Sequence, residues 1–219
     1  MAEAIAVLAS GGLDSCVLLA DMAQHATVYP LYIRHGLIWE SEEFGALQAF
    51  IEALHNDHIK PVTELSLPVQ PLYGNHWSVS GVGIPTKHDP EHSAYIPGRN
   101  VLLLSVAAVW CCQHDVHRIA LGTLSTNPFP DATLDFFQQL GKTLSTALAF
   151  PITIEAPYRK KDRKEDLVRK FPTLRLDMSL SCMAPKGGVH CGQCNKCHER
   201  KVGYQAAGIL DTTQYLLEP

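Results

Sequence analysis

At 219 residues, with 46% hydrophobic content and a formal net charge of −4, the chain is long enough to bury the core of one α/β domain and too apolar to be disordered. No global basic field draws it onto nucleic acid, although a local patch remains compatible with that charge. The longest apolar run, Val101 to Cys112 broken only by Ser105, is shorter than a bilayer span, and the absence of a basic N-terminal segment speaks against a signal peptide.

In chain order, Ile5-Ala6-Val7-Leu8-Ala9 reads as a buried strand that runs directly into Ser10-Gly11-Gly12-Leu13-Asp14-Ser15. Cys16-Val17-Leu18-Leu19-Ala20 then opens an apolar helix. A Gly-Gly turn between strand and helix lets backbone N–H groups converge on an anion, and the helix N-terminus adds partial positive charge. Ser10 and Ser15 can contribute hydroxyl donors, whereas Asp14, being an anion, is expected to cap the helix or to hold Mg²⁺. The loop, Ala9 to Ser15, is the expected nucleotide-binding element. It contains neither a Walker A lysine motif nor a dinucleotide fingerprint.

A second strand is expected over Thr27–Ile33, ending at Arg34-His35-Gly36. Ser41 then starts a helix with Glu42 and Glu43 favourably placed in its first turn, and Phe44, Leu47, Ile51 and Leu54 share one face. Val62–Leu67 is a third strand. Residues 68–96, rich in Pro, Gly and His, have the profile of a loop or lid over a site. Pro97-Gly98-Arg99-Asn100 leads into a helix through Cys112, followed by a fourth strand over Arg118–Gly122, a loop to Asp131, a helix to about Ala149 and a short strand over Ile152–Glu155. Asp162 to Glu165 has the form of a capping box for a basic helix, whose charges from Arg159 to Lys170 read as a solvated face or a nucleic-acid surface. The alternation of strands and helices predicts a parallel doubly wound sheet with ligand at the carboxyl ends of the strands.

From Asp177 onward cysteine dominates. Of seven cysteines in the chain, Cys182, Cys191, Cys194 and Cys197 form C-x8-C-x2-C-x2-C, a spacing that suits a closed thiolate tetrahedron around structural Zn²⁺. An iron–sulfur cluster is the alternative, without the usual ferredoxin continuation. His190 and His198 adjoin these cysteines and compete as ligands. Cys16, Cys111 and Cys112 read as packing residues. An odd number of thiols clustered in this way points to a reduced, cytoplasmic setting rather than a disulfide framework.

The Ser10–Ser15 loop resembles the SGGxDS pyrophosphate loop of the ATP pyrophosphatases. Together with Pro97-Gly98-Arg99-Asn100 and the terminal cysteines, it makes the chain similar to the 7-cyano-7-deazaguanine synthase family, with matches from Ser10 to Gly203. The resemblance implies an adenine nucleotide alpha hydrolase-like domain over residues 1–176 and a zinc-binding region over 177–219. It implies an ATP-dependent ligase that adenylates 7-carboxy-7-deazaguanine and uses ammonia to form the nitrile in queuosine biosynthesis, as a homodimer with Zn²⁺ and with Mg²⁺ at the nucleotide. Asp14, Ser15, Arg99 and Asp131 are then the expected catalytic residues. Arg99 would contact phosphate or carboxylate. Asp131 would accept hydrogen bonds from a guanine-like edge or, alternatively, cap the helix that follows it.

Three segments depart from the family pattern. The loop Gly122-Thr123-Leu124-Ser125-Thr126-Asn127-Pro128-Phe129-Pro130-Asp131-Ala132 is shorter and lacks two early acids. Arg34-His35-Gly36-Leu37 replaces an aromatic-Gln-Arg-His segment. Arg163, with Lys164 beside it, stands in place of a lysine. Two other readings stay open: a relative that adenylates a different carboxylate or carbonyl, amide-forming or sulfur-inserting and tRNA-acting in one version, and a non-catalytic nucleotide-binding regulator. A glutamine-hydrolysing asparagine synthetase is disfavoured, because Ala2 stands where its cysteine nucleophile would be.

Overall fold

The computed structural model describes residues 3–219, so Ala2 lies outside the described residues. Five strands, β1 (Ala4–Leu8), β2 (Thr27–Arg34), β3 (Thr63–Ser66), β4 (Arg118–Ala120) and β5 (Thr153–Glu155), form one sheet in the order β3-β2-β1-β4-β5. Every pairing is parallel. The order reverses between β1 and β4, and a crevice opens beyond the carboxyl ends of strands at such a point.

Eight helices are present among the described residues: α1 (Leu13–Met22), α2 (Glu40–Leu54), α3 (Gln70–Tyr73), α4 (Trp77–Ser80), α5 (Arg99–Gln113), α6 (Leu134–Leu148), α7 (Lys164–Lys170) and α8 (Asn195–Ala207). Successive residues of β1 point to opposite faces. Ile5 and Val7 join α1, α2 and α7 in one core, while Ala6 joins α5 and α6 in the other. The sheet is therefore doubly wound, as expected. Residues 68–96 hold α3, α4 and a 3₁₀ turn at Glu91–Ala94. A third core lies beyond the carboxyl edge of the sheet, where Leu37, Trp39 and Ile96 pack on Leu180, Met183 and the cysteines.

Several local expectations shift. The capping box of α7 sits one residue later than Asp162–Glu165, because Arg163 is the N-cap and its N–H donates to Asp166 at 2.9 Å. Asp162 instead accepts from Ser125 through its main-chain carbonyl. The run from Arg159 to Lys170 is not simply a solvated face, since three of its cations are tied to named partners. Arg159 donates to the carbonyls of Ser125, Asn127 and Ala132. Lys164 pairs with Asp14 and Lys170 with Asp21. Residues Glu91–Gln113 are long and apolar enough, by length and composition, to cross a membrane. That stretch is interrupted before Arg99; α5 itself, 15 residues long, spans about 22 Å against a hydrocarbon core of about 30 Å. Leu104, Ala107, Ala108 and Cys111 of α5 are buried against the sheet.

Candidate active site

The loop after β1 is closed by its own hydroxyls. Ser10 Oγ accepts the Gly12 N–H at 3.2 Å, and Ser15 Oγ accepts the Ser10 N–H at 3.2 Å while donating to the Gly12 carbonyl at 3.0 Å. Gly11 adopts φ 75°, and a Cβ there would lie 2.5 Å from the Glu43 carbonyl oxygen of α2. Glycine is required at this position by left-handed backbone and close helix approach together. Asp14 does not cap α1, whose N-cap is Gly12. The free Leu13 N–H donates to Ser181 Oγ at 3.0 Å, and the Leu180 N–H donates to the Gly11 carbonyl at 2.8 Å. The C-terminal segment thus supplies a cap that the loop's own acid was expected to supply.

Two joined cavities open over this loop, of about 360 and 240 Å³. The larger follows the ends of β1, β2 and β4, with Ala9, Ser10, Asp14, Ser15 and Arg99 on its walls. The smaller is enclosed by Trp39, Trp77, Tyr95 and Phe129, with Asp131 on its wall. Trp39 and Trp77 stack with centroids 5.7 Å apart, and Tyr95 and Phe129 lie at 5.0 Å. Ser10, Asp14, Arg99 and Glu43 border both spaces. The structure therefore brings together the expected loop residues, Arg99 and Asp131, but Gly11 packs against α2 rather than facing either space.

Charge in the cleft is arranged by residues distant in sequence. Lys164 Nζ contacts both Asp14 carboxylate oxygens, at 2.9 and 3.0 Å. Lys164, rather than Arg163, thus reaches the loop. Lys196 Nζ grips Glu199 at 2.9 and 3.0 Å and faces both cavities. Arg99 is partly buried, and its Nε has no partner. Glu43 is buried; desolvation raises its pKa to about 7, against the opposing pull of Arg99 and a 3.1 Å hydrogen bond from Tyr32. Burial lowers the His35 pKa against the opposing pull of Glu40, whose carboxylate lies 3.4 Å from its Nδ1, and its buried Nε2 is unpartnered. Glu43, Lys164 and Lys196 were not singled out as site residues by motif. Lys196 stands between two cysteines of the cluster, and that position was its one visible signal.

Asp131 caps the helix before it, not the one after. Its Oδ2 accepts the Asn100 N–H at 3.0 Å in the first turn of α5, and Asn100 Nδ2 returns a bond to the Asp131 carbonyl at 2.9 Å. Thr133 caps α6. Burial raises the Asp131 pKa. The Arg159 guanidinium, bound to three carbonyls of residues 125–132, fixes this shortened loop.

The sulfurs of Cys182, Cys191, Cys194 and Cys197 all lie within 4.8 Å of one another, with separations of 3.5, 3.9 and 4.0 Å among them. A tetrahedron with metal–sulfur bonds of about 2.3 Å has edges of about 3.8 Å, so the group matches a single ion. A four-iron cube interposes its own metal atoms and holds cysteine sulfurs farther apart. Main-chain N–H groups of Met183, Ala184, Cys191, Gln193 and Cys194 point at these sulfurs, as donors that stabilise thiolate ligands do. Neither histidine belongs to the group. His190 Nε2 accepts the Ser181 N–H at 3.0 Å, and His198 is exposed. Cys16 and Cys111 are buried with raised pKa, Cys111 to about 12, which leaves them inert packing groups.

The sequence between residues 4 and 208 matches the model of the family described as queuosine biosynthesis protein QueC. Proteins named 7-cyano-7-deazaguanine synthase are similar over nearly the whole chain. That of Methanothrix thermoacetophila is 30% identical, covering 95% of this chain and 96% of its own. That of Methanocaldococcus jannaschii is 27% identical, covering 98% and 99%. Among solved structures, the U34-tRNA thiolase NcsA of Methanococcus maripaludis, with its [4Fe-4S] cluster, aligns over 96% of this chain and 74% of its own at TM-score 0.52 and 11% identity, a likeness of fold. The chain belongs to the QueC family.

Proposed function

We propose, from membership of that family, that the chain converts 7-carboxy-7-deazaguanine into 7-cyano-7-deazaguanine with ATP and ammonia, releasing AMP and pyrophosphate. The observation that carries this reading is the meeting of the Ser10–Ser15 loop with an aromatic-walled, Asp131-bearing cavity, with Arg99 among the side chains that border both spaces. The larger cavity suits ATP, and the smaller suits a flat heterocycle stacked among Trp77, Tyr95 and Phe129.

A carboxylate resists attack by ammonia, so its oxygen first takes AMP from ATP and pyrophosphate leaves onto the Ser10–Ser15 loop. Ammonia forms the C–N bond as AMP departs with the C–O electron pair. The amide oxygen is adenylated in turn, and loss of AMP with the remaining N–H proton leaves the nitrile. Arg99 would lower the charge of the α-phosphate and the developing adenylate. Lys164 and Lys196 face the same space and would take the outer phosphates, releasing Asp14. A lone carboxylate combined with phosphate oxygens is a donor set that suits Mg²⁺, and Asp14 would hold it. Mg²⁺ there would supply charge neutralisation of the polyphosphate. Asp131 would receive N–H groups of the guanine-like ring.

The close sulfur tetrahedron supports zinc at Cys182, Cys191, Cys194 and Cys197. Metal analysis is expected to give one zinc per chain and no iron or acid-labile sulfide. All seven cysteines are free, which suits a reducing cytoplasm. The apolar outer side of α5, with Val101 and Val109 exposed, supports a homodimer, to be checked by light scattering.

The deciding experiment incubates the protein with ATP, an ammonium salt and 7-carboxy-7-deazaguanine and follows nucleotides and masses. AMP and the nitrile are expected. Arg99→Ala is expected to lose about 100-fold in rate with an unchanged fold, the scale of a preorganised donor worth about 3 kcal/mol. ADP as the sole nucleotide product, or an untouched acid, overturns the reading.

A further inference from the structure

Ammonia reaches an enzyme near neutral pH mainly as ammonium, which has no lone pair with which to attack. A ligase that takes free ammonium therefore gains from a base at the junction of nucleotide and acid. We propose that Glu43 is that base: its carboxylate binds ammonium between the two cavities, takes one proton and releases neutral ammonia toward the adenylate carbonyl. The inference rests on the ammonia-dependent reaction argued above.

The geometry selects Glu43 by what the other acids are doing. Asp14 is gripped at both oxygens by Lys164, and Glu199 likewise by Lys196. Asp131 caps α5. Glu40 is bound by the main-chain N–H groups of His35 and Gly36 and does not border either cavity. Glu43 borders both, yet only 9% of it is exposed. Its position makes no sense for the surface helix face that its place in the first turn of α2 suggests. The groups facing it are Tyr32 on β2, Glu40 and Trp39 at the start of α2, Cys16 on α1 and Arg99 on α5. Arg99 draws the carboxyl toward ionisation while burial opposes it, and the result is a pKa of about 7, poised to exchange a proton near neutrality.

The proton balance closes. Ammonium gives one proton to the Glu43 carboxylate; the ammonia lone pair forms the C–N bond; AMP leaves with the C–O electron pair; and the nitrogen sheds a second proton, to solvent or to AMP, as the neutral amide forms. Glu43 then returns its own proton to water.

The test compares two nucleophiles at the same adenylate. Hydroxylamine is uncharged at neutral pH and needs no deprotonation before it attacks, giving a hydroxamate. Glu43→Gln keeps the shape and the Tyr32 partner. It is expected to lose about 100-fold in kcat/KM for ammonium with the hydroxylamine reaction little changed. Equal losses with both nucleophiles, or none, overturn the assignment. Wild-type protein supplies a measurement that needs no variant. With Glu43 as base, kcat/KM for total ammonium, taken relative to the uncharged fraction of hydroxylamine, rises tenfold per pH unit only up to about 7 and is level above it. If ammonia is captured directly from solution, the rise continues for roughly two further pH units, and the proposal fails. Should wild-type protein form no hydroxamate from the deazaguanine acid at all, the adenylation reading itself falls. Hydroxamate formation without the Glu43 signature overturns the base alone.

Discussion

The loop at Ser10–Ser15 and the cysteine group at Cys182–Cys197 are both short motifs, but they stand up by different means. The loop is braced by its own hydroxyls and sits between β1 and α1, whose side chains fill the largest core. The cysteine segment has only α8 as regular structure, and its main chain turns inward on four sulfurs. The difference predicts that a loop between two buried elements is held by its neighbours, whereas a segment turned inward on four sulfurs depends on the metal they bind. The two meet where Leu180 and Ser181 bond Gly11 and Leu13. Arg200, fully buried, ties Ser179, Ser181 and the Leu176 carbonyl behind that contact.

The harshest way to break the comparison is to remove the metal. Chelation, or Cys194→Ser, is expected to unfold the region after Asp177, since thiolate–zinc bonding in small motifs is worth on the order of 10 kcal/mol. ATP affinity should fall with it as the Ser181 cap is lost. A calorimetric scan with unchanged Tm together with an unchanged nucleotide Kd in the apo-protein would show that the loop needs no help from the C-terminus.

Gly11→Ala tests the loop from its other side. Left-handed backbone and a 2.5 Å approach to the Glu43 carbonyl predict a loss of about 2–4 kcal/mol in urea unfolding. Stability equal to wild type would mean that α2 yields easily.

Acidity gives a third handle, on the junction of the two regions. Glu43 moves from 4.5 to about 7 on folding, so between those values the unfolded chain ionises while the native chain keeps its proton. The native state binds more protons there, and its contribution to stability declines as pH rises, by at most about 3 kcal/mol. Glu43→Gln should remove that decline from a pH series of urea midpoints. A wild-type series whose midpoints do not fall between pH 4.5 and 7 once other groups are matched by the variant would contradict the burial of this carboxyl.

The smallest effect isolates the contact itself. Ser181→Ala removes the cap on Leu13 and is expected to destabilise by about 1 kcal/mol. Weaker ATP binding without loss of the metal is the outcome that separates it from metal removal.

By itself the sequence determined the parallel doubly wound sheet, the loop after β1 and the four sulfurs. Each of these is written in neighbouring residues: an apolar run before Gly-Gly, alternating strand and helix periods, and cysteines three and nine positions apart. Tertiary structure decided what closes the site. Asp14 is adjacent to the loop but pairs with Lys164, 150 positions away, and the cap it was expected to provide comes from Ser181, 168 positions away. Asp131 caps α5 rather than α6, because the chain folds back to place it at Asn100. Glu43 has the sequence signature of a solvated helix start and lies buried against Tyr32 and Arg99. Periodicity records which face of an element is apolar, but a charge is settled by its partner, and partners brought together by the packing of α1, α2, α5 and α7 leave no local trace.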